Sequence, residues 1–154
     1  YDLEFFFNKI AEIRSIRPEI SISTDVIVGF PGESLELFNT TIDTCRKIGF
    51  SKLHVFPYSE RKGTASSRMD GKIDGGVIKE RARELIKVSE ELEIDYMNKF
   101  VGREVEVLVE ECHDGYSYGH TGNFLYCKIS KELPHNEFCT VKVKEISYPY
   151  CICE

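Results

Sequence analysis

No run of apolar residues in this 154-residue chain reaches the roughly 18 that a membrane-spanning helix needs. No secretory signal opens it either, because Tyr1 to Arg14 is charged and amphipathic throughout. Both absences predict a cytoplasmic protein. Positive charge is not in excess: the net charge is −6. Residues 1–100 carry 15 basic and 17 acidic side chains, and residues 101–154 carry 5 and 9. A polyanion must therefore be met by a local patch rather than by the whole surface. None of the six cysteines (45, 112, 127, 139, 151, 153) forms a C-x-x-C, and their scatter does not suit a secreted disulfide framework. Cys151 and Cys153 form a C-x-C on an expected terminal strand, but no second pair accompanies them to complete a metal site. No Ser-His-Asp or Cys-His set and no paired carboxylates stand out. No internal repeat or low-complexity segment occurs, and no methionine opens the chain.

What is there divides into two grammars. Residues 2–16 read as a helix that starts without a capping residue, which predicts that the chain is a piece of something longer. Ile20 to Phe30 reads as a strand, near-continuously apolar at Val26-Ile27-Val28 as a covered parallel strand should be. Ser34 suits the cap of the next helix, with Leu35, Phe38, Ile42 and Cys45 as its buried stripe and Gly49 as its stop. Lys52 to Tyr58 is a second strand. A polar loop, Ser59 to Gly76, leads to a long helix from Val77 to about Phe100, with Leu85, Val88, Leu92 and Tyr96 on one face. Alternating elements with short connections predict parallel βα units. Two strands cannot close a sheet, so self-association through an exposed edge is expected.

After Gly102 the period falls to two. Val105, Val107 and Val109 alternate along one strand, and His120 to Ile129 and Thr140 to Tyr148 repeat the pattern. This predicts a small antiparallel barrel over 101–154, joined to residues 1–100 through the long helix.

Chemistry concentrates at two strand ends. "TDVIVGFPGES" (Thr24 to Ser34) runs a buried strand into Gly-Phe-Pro-Gly-Glu and then a helix. Ligands of parallel sheets sit beyond such ends. Gly29 and Gly32 let a flat ligand approach backbone, Pro31 stiffens the turn, and backbone groups of Val28 and Gly29 suit an adenine edge. Glu33 suits the helix start and can accept backbone N–H bonds. A plain strand-to-helix turn with a good stop signal is the competing reading. "HVFPYSERKGTASSRM" (His54 to Met69) ends in Phe56-Pro57-Tyr58, whose rings suit a purine, and continues into Arg61, Lys62 and Arg68. Segment 59–72, with four basic and two acidic residues, is the one distinctly cationic loop and suits a phosphodiester. A solvated surface loop is its alternative.

These two segments, with "LIKVSEELEIDYMNKFVGREVEVLVEE", resemble the radical-SAM tRNA methylthiotransferases over nearly the whole chain, most of all the branch acting on threonylcarbamoyladenosine. The resemblance implies an α/β fold: residues 1 to about 100 as the C-terminal part of a radical-SAM partial (β/α) barrel, and residues 101–154 as a TRAM domain. It implies that Val28, Gly29, Gly32, Glu33, Phe56 and Tyr58 lie against S-adenosylmethionine. tRNA contacts are then expected from the basic loop residues Arg61, Lys62 and Arg68, and from Arg103, Tyr118 and Asn123 of the barrel. "GHTGNF" (Gly119 to Phe124) resembles the TRAM turn, with Gly122 where an acidic residue is usual. The family's chemistry needs C-x-x-x-C-x-x-C to hold a 4Fe–4S cluster, and this chain has no such motif. The implied role is part of the cofactor wall and of the tRNA surface, inactive alone, with the N-terminal remainder of the enzyme as partner. A stand-alone RNA-binding or scaffolding module, and the sister enzymes that methylthiolate a ribosomal protein, remain alternatives.

Overall fold

The computed structural model describes residues 2–154, which divide into two compact units. The first comprises residues up to 10 and Ile22–Glu93, and the second Ala11–Ser21 and Ile94–Glu154. Helices α1 (Leu3–Ile16) and α3 (Gly75–Asn98) contribute residues to each. No helix among the described residues is long and apolar enough to cross a membrane.

In the first unit, β1 (Ser23–Val28) and β2 (Lys52–Pro57) pair in parallel, in register from Ser23 with Lys52 to Val28 with Pro57. Helix α2 (Leu35–Ile48) connects them. It starts where Ser34 Oγ accepts the Leu37 N–H at 3.1 Å. It ends where Gly49, at φ 66°, donates its N–H to the Cys45 carbonyl. Phe38, Ile42, Cys45 and Ile48 are the buried face of α2, and they pack with Leu85, Val88 and Leu92 of α3 and Leu53 of β2. Leu35 does not join the expected stripe; it opens the helix at the strand-end turn and is exposed. Two further expectations are corrected. The strand begins at Ser23 rather than Ile20. Helix α1 is capped, because Asp2 Oδ1 accepts the Phe5 N–H at 2.9 Å. Helix α3 likewise starts at two glycines because Asp74 Oδ1 accepts the Gly76 N–H at 2.8 Å.

The second unit is a closed five-stranded barrel. Its strands are β3 (Glu104–His113), β4 (Tyr116–Thr121), β5 (Tyr126–Ile129), β6 (Phe138–Ser147) and β7 (Tyr150–Cys153). Their order around the barrel is β3-β4-β5-β7-β6. The expected His120–Ile129 strand is two strands, split by a turn in which Phe124 adopts φ 64°. The barrel is also not wholly antiparallel: β5 and β7 run parallel, with Cys127 opposite Cys151. A ring of odd strand number cannot alternate direction all the way round, so five strands require at least one parallel pair. Val107, Val109, Leu125, Ile129 and Val143 fill the interior with three fully buried thiols, Cys127, Cys151 and Cys153. Hydrogen bonds with Cys151 and Cys153, and then burial, push the Cys127 thiol up. No group of three His, Cys, Asp or Glu suited to a metal ion occurs among the described residues.

Candidate functional site

In the first unit the Gly-Phe-Pro-Gly-Glu turn leaves the carboxyl end of β1 and is braced from several sides. The Val28 carbonyl accepts the Tyr58 N–H at 2.8 Å, tying the turn to the end of β2. Glu33 reaches back so that one carboxylate oxygen accepts the Gly29 N–H at 3.1 Å. The same oxygen takes a hydrogen bond from Arg81 Nη1 at 2.5 Å, and that nitrogen also bonds the Glu33 carbonyl at 2.9 Å. The Arg81 guanidinium lies over the Phe38 ring at 5.3 Å. Only 10% of the Arg81 side chain and 13% of that of Glu33 are exposed, so this pair is largely withdrawn from solvent. The Gly32 N–H donates to the Gly71 carbonyl at 2.9 Å, which ties the returning end of the 59–72 loop to the turn.

The two glycines serve different ends. A Cβ on Gly29, at φ 78°, would stand 2.5 Å from Ile78 Cγ1, so packing of α3 demands glycine there. Gly32, at φ 87°, has nothing within 4 Å of where its Cβ would stand and faces open space. Val28 is buried and its carbonyl and the Gly29 N–H already have partners, so an edge-reading role at this turn is left to their remaining capacity.

Beside the turn, the Phe30 and Tyr58 rings meet edge to face at 5.3 Å. The Tyr58 hydroxyl is buried with no hydrogen-bond partner, an unusual state for a phenol. Alternation along the paired strands puts Asp25 and Ile27 on one face with His54 and Phe56, and all four are exposed. That face is polar toward the start of the strands and apolar at the carboxyl end, where Ile27 stands opposite Phe56. On the 59–72 loop, Lys72 pairs with Glu60 at 2.7 Å, and that hydrogen bond pushes its ammonium up. Arg61, Lys62 and Arg68 are exposed and have no carboxylate partner among the described residues.

In the barrel unit the expected RNA-contacting residues fall in two places. A groove of about 840 Å³ is lined by Arg17, Glu19, Phe100, Arg103, Asn123 and Phe124, among others. Arg103 is ion-paired with Glu19, and its guanidinium lies 5.8 Å from the Phe100 ring centre. Asn123 is held from both ends: its amide donates to the Tyr96 hydroxyl at 3.0 Å and its carbonyl oxygen accepts from Thr121 Oγ1 at 2.6 Å. Tyr96 in turn donates to the Glu19 carbonyl at 2.7 Å, and burial pushes its phenol up. Phe124 stands at the groove mouth, 79% exposed. Tyr118 is elsewhere, buried in a cluster of rings with His113 stacked on it at 4.3 Å.

Arg81, Ile78 and Phe124 were not singled out from sequence. Arg81 had a signal: it precedes Leu85, Val88 and Leu92 at helical spacing, so a charge begins a buried stripe and needs a buried partner. Ile78 had none, since only the folded chain brings it to Gly29.

No family model matches the chain. It is 33% identical over 97% of its length to the threonylcarbamoyladenosine tRNA methylthiotransferase MtaB of Bacillus subtilis (strain 168), covering 35% of that protein. It is 39% identical over 96% of its length to the protein of the same name from Thermotoga maritima, covering 34%. To the tRNA-2-methylthio-N(6)-dimethylallyladenosine synthase of Thermobifida fusca (strain YX) it is 41% identical over 72% of its length, covering 22%. The chain thus spans about a third or less of the length of these relatives. Across that stretch, the chain is similar to the tRNA methylthiotransferases.

Proposed function

We propose that this chain is part of an enzyme that inserts a methylthio group at a modified adenosine beside the tRNA anticodon by radical S-adenosylmethionine chemistry. The observation that carries the reading is identity of 33–39% along nearly the whole chain to proteins named for that reaction. In this reading the first unit is the C-terminal part of a partial (β/α) barrel and the five-stranded barrel is a TRAM domain.

The residues at the strand ends suit S-adenosylmethionine. Gly32 leaves open space where a side chain would stand, and the buried Tyr58 hydroxyl has an unmet hydrogen bond. Phe56 and Tyr58 offer aromatic surface at the end of β2. The cofactor, when bound, would supply a carbon radical upon one-electron reduction by the cluster held in the remainder of the enzyme, and a further molecule of it the methyl group. This chain's part is to present Gly32 and the Phe56 ring, and to keep the turn rigid through Glu33 on the Gly29 N–H. Val28 and Gly29 would contribute backbone alone. The 4Fe–4S clusters fit no ligand set in this chain, which has no C-x-x-x-C-x-x-C, so the cluster steps belong to the remainder of the enzyme and the chain alone is inactive. Arg61, Lys62 and Arg68 would meet tRNA phosphates, with Arg103 and Asn123 at the barrel groove. Tyr118, being covered by neighbouring rings, would act by shaping the barrel surface rather than by stacking on a base.

The test is nucleoside mass spectrometry of tRNA from a strain lacking its own methylthiotransferases and expressing the full-length protein of which this chain is part. Appearance of a 2-methylthio adenosine derivative supports the reading. A tRNA pool that stays unmodified, with the protein expressed and its clusters assembled, overturns it in favour of a binding module.

A further inference from the structure

The outward residues of the barrel strands β4, β5 and β7 form a second surface, of which the tRNA reading takes only Tyr118. Alternation sends Ser117, Gly119, Cys127, Ile129, Cys151 and Cys153 inward, where all are buried. It sends Tyr118 and His120, Tyr126 and Lys128, and Tyr150 outward. Cross-strand register then places Tyr118 opposite Lys128 and His120 opposite Tyr126. The result is a continuous field of rings. His113 stacks on Tyr118 at 4.3 Å and His120 on Tyr126 at 4.6 Å, while Tyr150 touches both tyrosines, at 5.6 and 4.9 Å.

This field is rimmed by carboxylates. Glu110 Oε2 lies 2.6 Å from His120 Nδ1, and Glu111 and Asp114 lie 3.9 and 3.3 Å from the two nitrogens of His113. Burial first, and then Tyr150, Glu111 and Glu110, push the Tyr126 phenol up, in keeping with the carboxylates that stand beside it. One cation does rest there: Lys128 Nζ sits 4.1 Å from the Tyr116 ring centre and 5.7 Å from that of Tyr118. The barrel thus already holds an ammonium against Tyr116 and Tyr118. Bases could stack on tyrosines, but each brings a phosphate into repulsion with Glu110, Glu111 and Asp114. A guanidinium or ammonium gains from both the rings and the rim.

We propose that this aromatic, acid-rimmed face of the barrel docks a cationic segment of a protein partner, laying an arginine or lysine side chain on Tyr126 and Tyr150 beside Glu110 and Glu111. The surface is distinct from the groove around Arg103 and Asn123, and the proposal stands whether or not the chain serves a methylthiotransferase.

The test uses the whole 154-residue chain, titrated in near-physiological salt with a short oligoarginine peptide and, separately, with a single-stranded oligoribonucleotide. Aromatic NMR resonances report the site and calorimetry the affinity. The peptide is expected to shift the Tyr126 and Tyr150 ring signals, and Glu111→Gln or Tyr150→Leu to weaken it about tenfold. Glu36→Gln, an equal charge change on exposed α2, is expected to leave affinity unchanged. Because Glu111 is exposed, its variant keeps the test valid if Tyr150→Leu fails to fold. The proposal is overturned if the oligonucleotide rather than the peptide shifts those rings, if Glu36→Gln weakens the peptide as much as Glu111→Gln, or if no peptide binding occurs.

Discussion

Replacing Arg81 by Met is the sharpest perturbation of the strand-end turn. Methionine keeps most of the length and apolar volume of the side chain but removes its charge and donors. Glu33 would keep its bond from the Gly29 N–H but lose both the guanidinium and solvent, since its side chain is only 13% exposed. Leaving one member of a buried pair uncompensated costs about 3–5 kcal/mol, and the lost contact with Phe38 adds up to about 1 kcal/mol. A loss of about 4 kcal/mol is therefore expected in the first unit, which corresponds to a shift of almost three decades in its opening equilibrium. Amide hydrogen exchange at Gly29, followed by NMR with urea denaturation alongside, reads it directly. The ordering of variants matters more than the absolute size. Glu33→Gln retains an acceptor for Gly29 and removes the stranded charge, so the double variant should recover about 1–3 kcal/mol relative to Arg81→Met alone. If Arg81→Met proves as stable as the parent chain, or if the two losses simply add, the ion pair is not what braces the turn.

Gly29→Ala should cost about 2–4 kcal/mol, through both its positive φ and the clash with Ile78, whereas Gly32→Ala should cost only about 1–2 kcal/mol. Adding Ile78→Ala should narrow that gap in urea denaturation. Asn123→Ala breaks the bonds to Tyr96 and Thr121 and should lower barrel stability by about 1–3 kcal/mol in thermal melts. The Cys45 and Cys139 thiols are pushed up by burial from 9.0, and the Tyr96 and Tyr126 phenols by burial from 10.0. Above pH 9 the unfolded chain therefore holds fewer of these protons than the native one, and denaturation at rising pH should show stability falling. Flat stability from pH 8 to about 10.5 would contradict that burial. The free edges of the two-stranded sheet should drive self-association, and a clean monomer by light scattering at high concentration would count against it.

The local devices were legible in the sequence because their causes are local. Ser34 and Gly49 bound α2 through bonds to residues a turn away, and Leu85, Val88, Leu92 and Tyr96 repeat at helical spacing. The strand-end turn was visible too, but the reason for Gly29 was not, since Ile78 lies 49 residues along the chain. Asp2 carries little cap signal in the sequence because it stands almost at the start of the 154 residues. In the barrel, period two was visible, but the tight turn at Gly122–Phe124 carries strand-like residues on both flanks and concealed a strand boundary. With that boundary concealed, the parity that forces β5 and β7 to run parallel is concealed too. Arg103 and Tyr118 suit RNA by residue type, but pattern alone does not reveal that Glu19 pairs with one and His113 covers the other.

The claim that the strand ends form an S-adenosylmethionine wall meets its most direct test in equilibrium binding of that cofactor to the cluster-loaded full-length protein, wild type against Phe56→Ala. Phe56 is half exposed, so its loss should spare the fold and the cluster absorbance. The wall predicts affinity weakened about three- to tenfold by removal of that aromatic surface. Unchanged affinity with intact clusters would place the cofactor elsewhere.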